Sequence, residues 1–200
     1  KNERNELAKT IHPLLKTRGV PGTHDINLTK TIIDEVSKPL SQRKNSNIQV
    51  PRFNKAIDDR FPNGEDLPQN EVDLIILEGW CIGVKAQTKE MLKTPLNDLE
   101  LAEDKDGKWR QFINQEIDNY QDLFNKLDYL AMLKAPSFEI IYQWRGQQEE
   151  QLLKRQSALS SNSQIMDRTQ LQRFIMHYER SSRWMLNDIP KYCDLVFEIN

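Results

Sequence analysis

One carboxylate, Glu78, directly follows the most apolar stretch of the sequence. The preceding residues, Val72–Leu77, contain one acidic side chain and otherwise only Val, Leu and Ile, which is typical of a strand buried in a parallel sheet. Ligands of open α/β sheets bind at the carboxyl ends of such strands, where an acidic residue can act on a metal-bound phosphate or on a substrate hydroxyl. The alternative, that Glu78 caps the next helix or faces solvent, stays open on these residues alone.

A second group of polar side chains lies in the short loop Arg18–Asp25, whose sequence is RGVPGTHD. Two glycines and a proline constrain the backbone around Arg18, Thr23, His24 and Asp25, and this density of polar groups in a tight loop indicates a site. An equally good interpretation is a turn between two helices, in which Thr23 or Asp25 caps the second helix. A single histidine such as His24 is more often a structural hydrogen-bonding residue than a ligand or a base.

A third group combines charges of both signs. Arg52, Lys55 and Arg60 lie close in sequence to Asp58 and Asp59. Such a cluster can bind an anionic substrate, because Arg offers a bidentate fork and Lys a point charge, while the carboxylates accept hydrogen bonds from hydroxyl groups. The same composition is equally compatible with a surface turn whose charges neutralise one another.

The fourth candidate, Arg145, lies at the end of a second apolar stretch, 138–144, which predicts another strand. A charged segment that contains Arg155 comes next, so the region around 144–165 has the character of a mobile lid that closes cations over phosphates. A solvated helix with alternating charges would have the same composition, and the residues do not decide between the two.

Positioning these side chains requires both helices and strands. The spacing of apolar residues predicts helices over 1–16, 27–38, 96–133 and 167–186, with Pro13 bending the first and residues 104–107 interrupting the third. Strands or extended segments are predicted at 48–53, 72–77, 138–144 and 193–199. The aromatic residues between 109 and 124 recur at helical intervals, which favours a hydrophobic core over a base-stacking surface.

Length and composition limit the class of protein. The 200 residues suffice for one domain with a sizeable core, and we predict a single domain over residues 1–200. Lys and Arg total 28 against 30 Asp and Glu, a formal net charge of -2, which argues against nucleic acid or an anionic membrane as a partner. Cys81 and Cys193 follow no metal-ligand spacing and fit a reducing compartment. No apolar run reaches the length of a membrane span, so we expect a cytoplasmic protein.

Five segments of the chain, taken together, carry a family resemblance. They are RGVPGTHD (Arg18–Asp25), VPRFNKAIDDR (Val50–Arg60), DLIILEGWCIG (Asp73–Gly83), YQWRGQQEEQL (Tyr142–Leu152) and HYERSSRWML (His177–Leu186). In this order they resemble the ATP-dependent D-glycerate 3-kinase family, which belongs to the P-loop kinases beside phosphoribulokinase and uridine kinase. The resemblance extends over almost the whole chain, and the order and spacing of the segments make it specific.

The resemblance implies a fold and an activity. The implied fold is α/β, a three-layer α/β/α arrangement of the P-loop NTPase type with a mainly parallel sheet. The implied reaction is transfer of the ATP γ-phosphoryl group, with Mg²⁺, to a hydroxyl of D-glycerate or a similar small hydroxy acid. The alternatives are a kinase of a nucleoside or another small metabolite, and a non-catalytic binding protein. The implied partners are ATP and a small-molecule substrate, without nucleic acid or membrane.

The resemblance also implies roles for the candidate residues. Glu78 would act through the water shell of the metal or on the acceptor. Arg145 and Arg155 would be lid cations that meet the nucleotide phosphates, and Arg145 would take part in catalysis. The acceptor pocket would be lined by residues of the two polar clusters: Arg18, Thr23, His24, Asp25, Arg52, Lys55, Asp58 and Arg60.

Two features depart from the family pattern. A phosphate loop of the form GxxxxGK[ST] occurs nowhere in the 200 residues, and the Asp-Asp-Phe-Tyr motif of the family, which supplies its catalytic aspartate, is absent as well. We therefore expect a piece of a longer kinase whose amino-terminal strands are missing from this chain, and no activity from this chain alone. The second departure is Asn54, which stands where the family has an aspartate and cannot act as a carboxylate.

Overall fold

The computed structural model describes residues 1–43, 48–54, 57–68, 70–156 and 166–199, with 152–156 described by their backbone alone. The chain divides into two compact units, one comprising Asn2–Thr23 and Cys81–Asn200, the other comprising Lys1 and His24–Trp80. We call the first the helical unit and the second the small-strand unit, after the elements that they contain. The single domain predicted over residues 1–200 stays a prediction.

The described elements make an α/β protein with small sheets. In chain order they are α1 (Asn2–Thr10), α2 (Ile26–Val36), β1 (Gln49–Val50), β2 (Phe53–Asn54), β3 (Asp59–Arg60), β4 (Glu65–Asp66), α3 (Asp98–Glu103), α4 (Lys108–Phe124), β5 (Ala131–Lys134), α5 (Phe138–Gln156), α6 (Arg168–Asp188) and β6 (Leu195–Glu198). Short 3-10 helices lie at Pro13–Lys16, Leu40–Gln42 and Ile189–Lys191. The helices predicted over 1–16, 27–38 and 167–186 are confirmed. Among the described helices, none is both long enough and apolar enough to cross a membrane.

Helix α4 supplies much of the hydrophobic core of the helical unit. Trp109, Ile113, Ile117 and Tyr120 recur at intervals of three and four residues, and all four are buried. Burying a side chain of the size of Ile stabilises a fold by about 1.5–3 kcal/mol, so burial of this face favours packing of α4 against the rest of the unit. The predicted interruption before α4 is confirmed, because Asp104 at that position accepts a hydrogen bond of 2.8 Å from the backbone N–H of Trp109.

Helices α5 and α6 pack through a buried cluster that includes Phe138 and Leu171. Ile141 and Tyr142 follow Phe138 at intervals of three and four residues and pack against the same cluster. The strand predicted over 138–144 is therefore wrong, because this segment forms the first turns of α5. An apolar run of this length satisfies the patterns of both a buried strand and a buried helix, and packing against α6 decides in favour of the helix.

The strands β5 and β6 form a parallel pair, with Ala131 opposite Leu195 and Lys134 opposite Glu198. The strand predicted over 193–199 is confirmed, whereas the helix predicted to continue to residue 133 is wrong in its last part. Paired residues are 64 positions apart, so local spacing of apolar residues carries no information about this pairing.

The small-strand unit consists of α2 and two antiparallel pairs of very short strands. Strand β1 pairs with β4, and β2 pairs with β3. Asp58, in the turn between β2 and β3, has a φ of 54°, a left-handed conformation that Asp tolerates better than most residues. This turn places Asp58, Asp59 and Arg60 of the predicted third group on one small hairpin.

The strand predicted over 72–77 is wrong. Within the described part of the chain, no residue pairs with this segment in a sheet. Leu74 and Ile76 are 74% and 81% exposed, whereas a strand buried on both faces would cover them. An apolar sequence favours burial, but a strand forms only where a neighbouring strand supplies its hydrogen bonds.

Candidate functional site

The Arg18 loop, which we define as Arg18–Thr23, is held tightly against α4. Gly19 and Gly22 have φ values of 102° and 87°, a region that L-residues with a side chain rarely adopt. The backbone N–H of Gly22 donates a hydrogen bond of 2.8 Å to the hydroxyl of Tyr120, and a Cβ at Gly22 would lie only 2.7 Å from the ring of Phe112. Both the dihedral angle and the close approach therefore require glycine at position 22.

Thr23 closes this loop on itself. Its hydroxyl accepts a hydrogen bond of 2.9 Å from the N–H of Gly19 and donates one of 2.7 Å to the carbonyl of Val20. The side chain of Val20, within the loop, is completely buried. The structure therefore uses the Thr23 hydroxyl to shape the backbone around Arg18.

Tyr178, on α6, holds the other end of the Arg18 loop. Its hydroxyl donates a hydrogen bond to the carbonyl oxygen of Arg18, and a Cβ at Gly19 would lie 3.2 Å from the same hydroxyl. Burial raises the pKa of Tyr178 to about 12, and the positive charges of Arg18, Arg145 and Arg4 oppose this rise. Two residues that were predicted for different parts of the site, Arg18 and Arg145, thus act electrostatically on one hydroxyl group.

Arg145 lies half-buried on α5, in the same unit. Its two terminal nitrogens donate hydrogen bonds of 2.6 Å to Gln148 and 3.2 Å to Glu149, and its guanidinium carbon lies 5.8 Å from the centre of the Phe174 ring. The Nε atom is buried without a hydrogen-bond partner among the described residues. The side chain of Arg155 and residues 157–165 of the predicted lid lie outside the described part.

Further side chains of α6 bind other segments of the helical unit. His177 hydrogen-bonds to the hydroxyl of Thr17 at 3.1 Å, directly before the loop. Arg180 binds both carboxylate oxygens of the buried Glu100 at 2.7 and 2.6 Å. The sequence analysis identified the segment His177–Leu186 but assigned no role to its residues. One signal was available: Phe174 and Tyr178 are four positions apart, a spacing that places two side chains on the same face of a helix.

Asp25 and Arg60 come together in the small-strand unit. One carboxylate oxygen of Asp25 accepts a hydrogen bond of 3.0 Å from the N–H of Leu28 and so caps α2, while the other lies 3.1 Å from Arg60. The cap that the sequence offered as an alternative is therefore present. His24 has an exposed surface, but nearby protein atoms desolvate its ring and lower the pKa of the imidazole below its usual value of 6.5.

The remaining members of the charged hairpin are mostly on the surface. Arg52 forms an ion pair of 2.7 Å with Glu65, and the side chains are 64% and 61% exposed. Asp58 is half-buried in the turn, and Lys55 lies outside the described residues. The structure thus supports the interpretation that ion pairs neutralise this surface, since Arg52 and Arg60 each have a carboxylate partner.

Glu78 is exposed and lies in the small-strand unit. The nearest helix that follows in the chain, α3, begins at Asp98, so Glu78 caps no helix directly after it. Among the described residues, no group of three or more His, Cys, Asp or Glu side chains could hold a metal ion.

Comparison with known proteins links the chain to kinases. It is 25% identical over 190 residues to the "Uncharacterized kinase mug58" of Schizosaccharomyces pombe, covering 88% of this chain and 62% of the relative. It is 27% identical over 195 residues to the "Probable ATP-dependent kinase TDA10" of Saccharomyces cerevisiae, covering 94% of this chain and 61% of the relative. It is 26% identical over 160 residues to the chloroplastic D-glycerate 3-kinase of Arabidopsis thaliana, covering 77% of this chain and 32% of the relative.

The fold also has a counterpart among solved structures. The structure of the YGR205w protein matches 99% of this chain and 69% of its own length, with a TM-score of 0.64 and 20% sequence identity. No protein-family model matches the chain. The chain spans less than two thirds of the length of each of the three curated relatives. It is therefore similar in sequence to proteins named as kinases and in fold to the YGR205w protein.

Proposed function

We propose that this chain is part of an ATP-dependent small-molecule kinase that transfers the γ-phosphoryl group to a hydroxyl of D-glycerate or a similar small hydroxy acid. The observation that carries the proposal is that α6 contacts both predicted cations of the helical unit: the Tyr178 hydroxyl donates to the carbonyl of Arg18, and the guanidinium carbon of Arg145 lies 5.8 Å from the centre of the Phe174 ring. The similarity to proteins named as kinases supports it, one of these being named a D-glycerate 3-kinase. The proposed architecture of the whole protein is a P-loop NTPase-type three-layer sandwich with a mainly parallel sheet.

Phosphoryl transfer depends mainly on positioning and on neutralising negative charge, and arginine is well suited to both. We assign Arg145, together with Arg155, to the nucleotide phosphates. Arg18 would bind the anionic end of the acceptor or a phosphate beside it. The tightly held backbone around Arg18 supports this assignment, because both ends of its loop are hydrogen-bonded to tyrosine hydroxyls.

The small-strand unit would supply the acceptor pocket. Asp25 and Arg60 form an exposed pair in which each partner can exchange its contact for a hydroxyl or a carboxylate of the substrate. The other lining residues of this unit would be His24, Arg52, Lys55 and Asp58, while Thr23 would shape the loop that carries Arg18. Glu78 would act on the acceptor hydroxyl or through the water shell of Mg²⁺, an ion that neutralises phosphate charge when bound with ATP.

The first experiment measures ATP consumption by the complete natural protein with Mg²⁺ and a panel of acceptors. The panel contains D-glycerate, other hydroxy acids, nucleosides and sugar phosphates. We expect turnover with D-glycerate, and we expect Glu78→Gln to lower kcat by about 10²-fold, the size of effect typical for loss of a group that handles a proton. The matched control is Asp73→Asn, which makes the same change at an exposed position in the same segment.

The outcomes separate the candidate functions. Turnover with a nucleoside or a sugar phosphate alone would replace the proposed acceptor and keep the kinase. Binding of ATP without turnover on any member of the panel would contradict the acceptor class. A complete protein that binds no ATP would favour a non-catalytic binding protein.

A further inference from the structure

The aromatic pair Phe174 and Tyr178 connects the two arginines of the helical unit. Their ring centres lie 5.1 Å apart, at successive turns of α6. At one end of the pair, the Tyr178 hydroxyl donates to the carbonyl of Arg18. At the other end, the guanidinium carbon of Arg145 lies 5.8 Å from the centre of the Phe174 ring. A continuous set of contacts therefore runs from the Arg18 loop to α5.

The Tyr178 hydroxyl is a neutral hydrogen-bond donor although three arginine side chains favour its ionised form. Arg4, Arg18 and Arg145 all act on the Tyr178 hydroxyl, whose pKa is raised to about 12 by burial, so the phenol remains an uncharged donor at neutral pH. Glu149 is the carboxylate that pairs with Arg145. Arg18 is exposed and Arg145 is partly exposed, so a ligand can reach both side chains.

The contacts differ from those of an ordinary core tyrosine. Tyr120 also hydrogen-bonds to the Arg18 loop, but it accepts from Gly22 and packs in T-shaped geometry against Phe124, within the core of α4. Tyr178 instead holds the carbonyl of the residue whose side chain is the cation. Fixing that carbonyl limits the directions in which the Arg18 side chain can leave the loop.

We propose that Tyr178 is a positioning residue that, through its contacts with Arg18 and Phe174, holds Arg18 and Arg145 as one binding pair for a phosphate-bearing anion. The inference rests on the proposed function and deepens it, because it names the residue that couples the acceptor loop to the cation of α5. The proposal gives a positioning role to the α6 segment around Tyr178, whose residues take no direct part in the proposed reaction.

The test compares tyrosine-to-phenylalanine changes at the two tyrosines that hydrogen-bond to the Arg18 loop. Tyr178→Phe removes the hydrogen bond to Arg18, and the matched control Tyr120→Phe removes the hydrogen bond from Gly22. Binding of inorganic pyrophosphate to the complete natural protein is measured by calorimetry, beside the KM for ATP. We expect Tyr178→Phe to weaken both by about tenfold, in keeping with the loss of one hydrogen bond to a positioned group, and Tyr120→Phe to change them by less than about twofold.

A double-mutant cycle with Arg145→Gln distinguishes positioning from general stability. If Tyr178 acts through the arginine pair, Tyr178→Phe has little further effect once Arg145 is Gln, because the pair is already broken. Effects that multiply independently would overturn the inference, as would equal losses in the two tyrosine variants or a wild-type protein that binds no pyrophosphate.

A second substitution covers the case in which Tyr178→Phe does not fold. Phe174→Leu keeps an apolar side chain and removes the ring between Tyr178 and Arg145, and the same cycle with Arg145→Gln applies. Failure of the proposed function gives a different result. A protein without ATP turnover whose pyrophosphate binding still shows the coupling would contradict the kinase and leave the arginine pair standing.

Discussion

Two ion pairs, one from each unit, differ sharply in burial. In the helical unit the Glu100 and Arg180 side chains are 0% and 10% exposed. In the small-strand unit the Arg60 and Asp25 side chains are 42% and 43% exposed. A buried pair costs several kcal/mol when one partner is removed, whereas an exposed pair contributes about 0–1 kcal/mol.

The difference in burial distinguishes an ion pair that holds the fold together from a pair proposed to bind the acceptor. Arg180 also donates hydrogen bonds of 3.0 and 2.7 Å to the carbonyls of Met91 and Thr94, so one buried guanidinium fixes a loop and a helix together. The exposed Asp25–Arg60 pair joins the start of α2 to the β2–β3 hairpin, and it can rearrange around a ligand at low cost. The proposed acceptor residues of the small-strand unit have this second character.

The largest expected effect tests this contrast directly. Glu100→Gln leaves the Arg180 charge buried without a carboxylate, and we expect it to lower the free energy of unfolding by about 3–5 kcal/mol. Glu65→Gln makes the same chemical change at the exposed Arg52 pair, and we expect a loss below about 1 kcal/mol. Chemical denaturation followed by circular dichroism measures both. Similar losses in the two variants would show that the buried Glu100–Arg180 pair contributes no more to stability than the exposed Arg52–Glu65 pair.

We expect acidification to lower the stability of the protein by an intermediate amount, because a buried histidine resists protonation. His177 is buried, and burial lowers its pKa below 6.5. Its Nδ1 donates to the carbonyl of Arg173 and its Nε2 accepts from the hydroxyl of Thr17, so the neutral ring already uses both nitrogens. The folded state therefore takes up a proton less readily than the unfolded state, and stability falls as the pH drops through 6.5.

The slope for one such proton is at most about 1.4 kcal/mol per pH unit. We expect His177→Gln to reduce the loss of stability between pH 7.5 and pH 5.5, measured by denaturation at each pH. Because the pKa of the exposed His24 is also lowered, His24→Gln is the control from the other unit, and NMR titration of the two rings follows each histidine separately. A His177→Gln protein with the acid sensitivity of the wild type would contradict this assignment.

The sequence predicted those elements whose signals are local. Helix α6 carries an apolar face over many turns and starts at Asp167, which forms a capping box with Gln170. The prediction failed where distant partners decide: β5 depends on β6, and the turns after Phe138 are helical because they pack against α6. The segment 72–77 is apolar without a strand partner among the described residues.

The candidate site was predictable in the same uneven way. Glycine and polar residues singled out the Arg18 loop, and φ values in the left-handed region at Gly19 and Gly22 explain why those glycines are there. The spacing of residues could not show that Tyr178 contacts Arg18, because these residues are 160 positions apart and the contact depends on how α6 packs. Nor could it show that Asp25 caps α2 and pairs with Arg60 at once.

The smallest expected effect concerns this double role of Asp25. Asp25→Ala removes the cap of α2 and the partner of Arg60, and we expect a loss of about 1 kcal/mol, most of it from the cap. Asp25→Asn keeps an oxygen that can cap the helix and removes only the charge, so we expect a loss of a few tenths of a kcal/mol. Hydrogen exchange at the Leu28 amide, the donor to the cap, measures the effect within this unit.

Arg60→Gln is the matched control, because it removes the ion pair and leaves the cap. If Asp25→Asn and Arg60→Gln each cost as much as Asp25→Ala, the exposed pair supports α2 after all and the contrast between the units is lost. If both leave the Leu28 amide protected but raise the KM of the complete protein for its acceptor, the two charges serve the substrate and the cap serves the fold. Asp25 would then serve both the fold, through the cap of α2, and the substrate, through its charge.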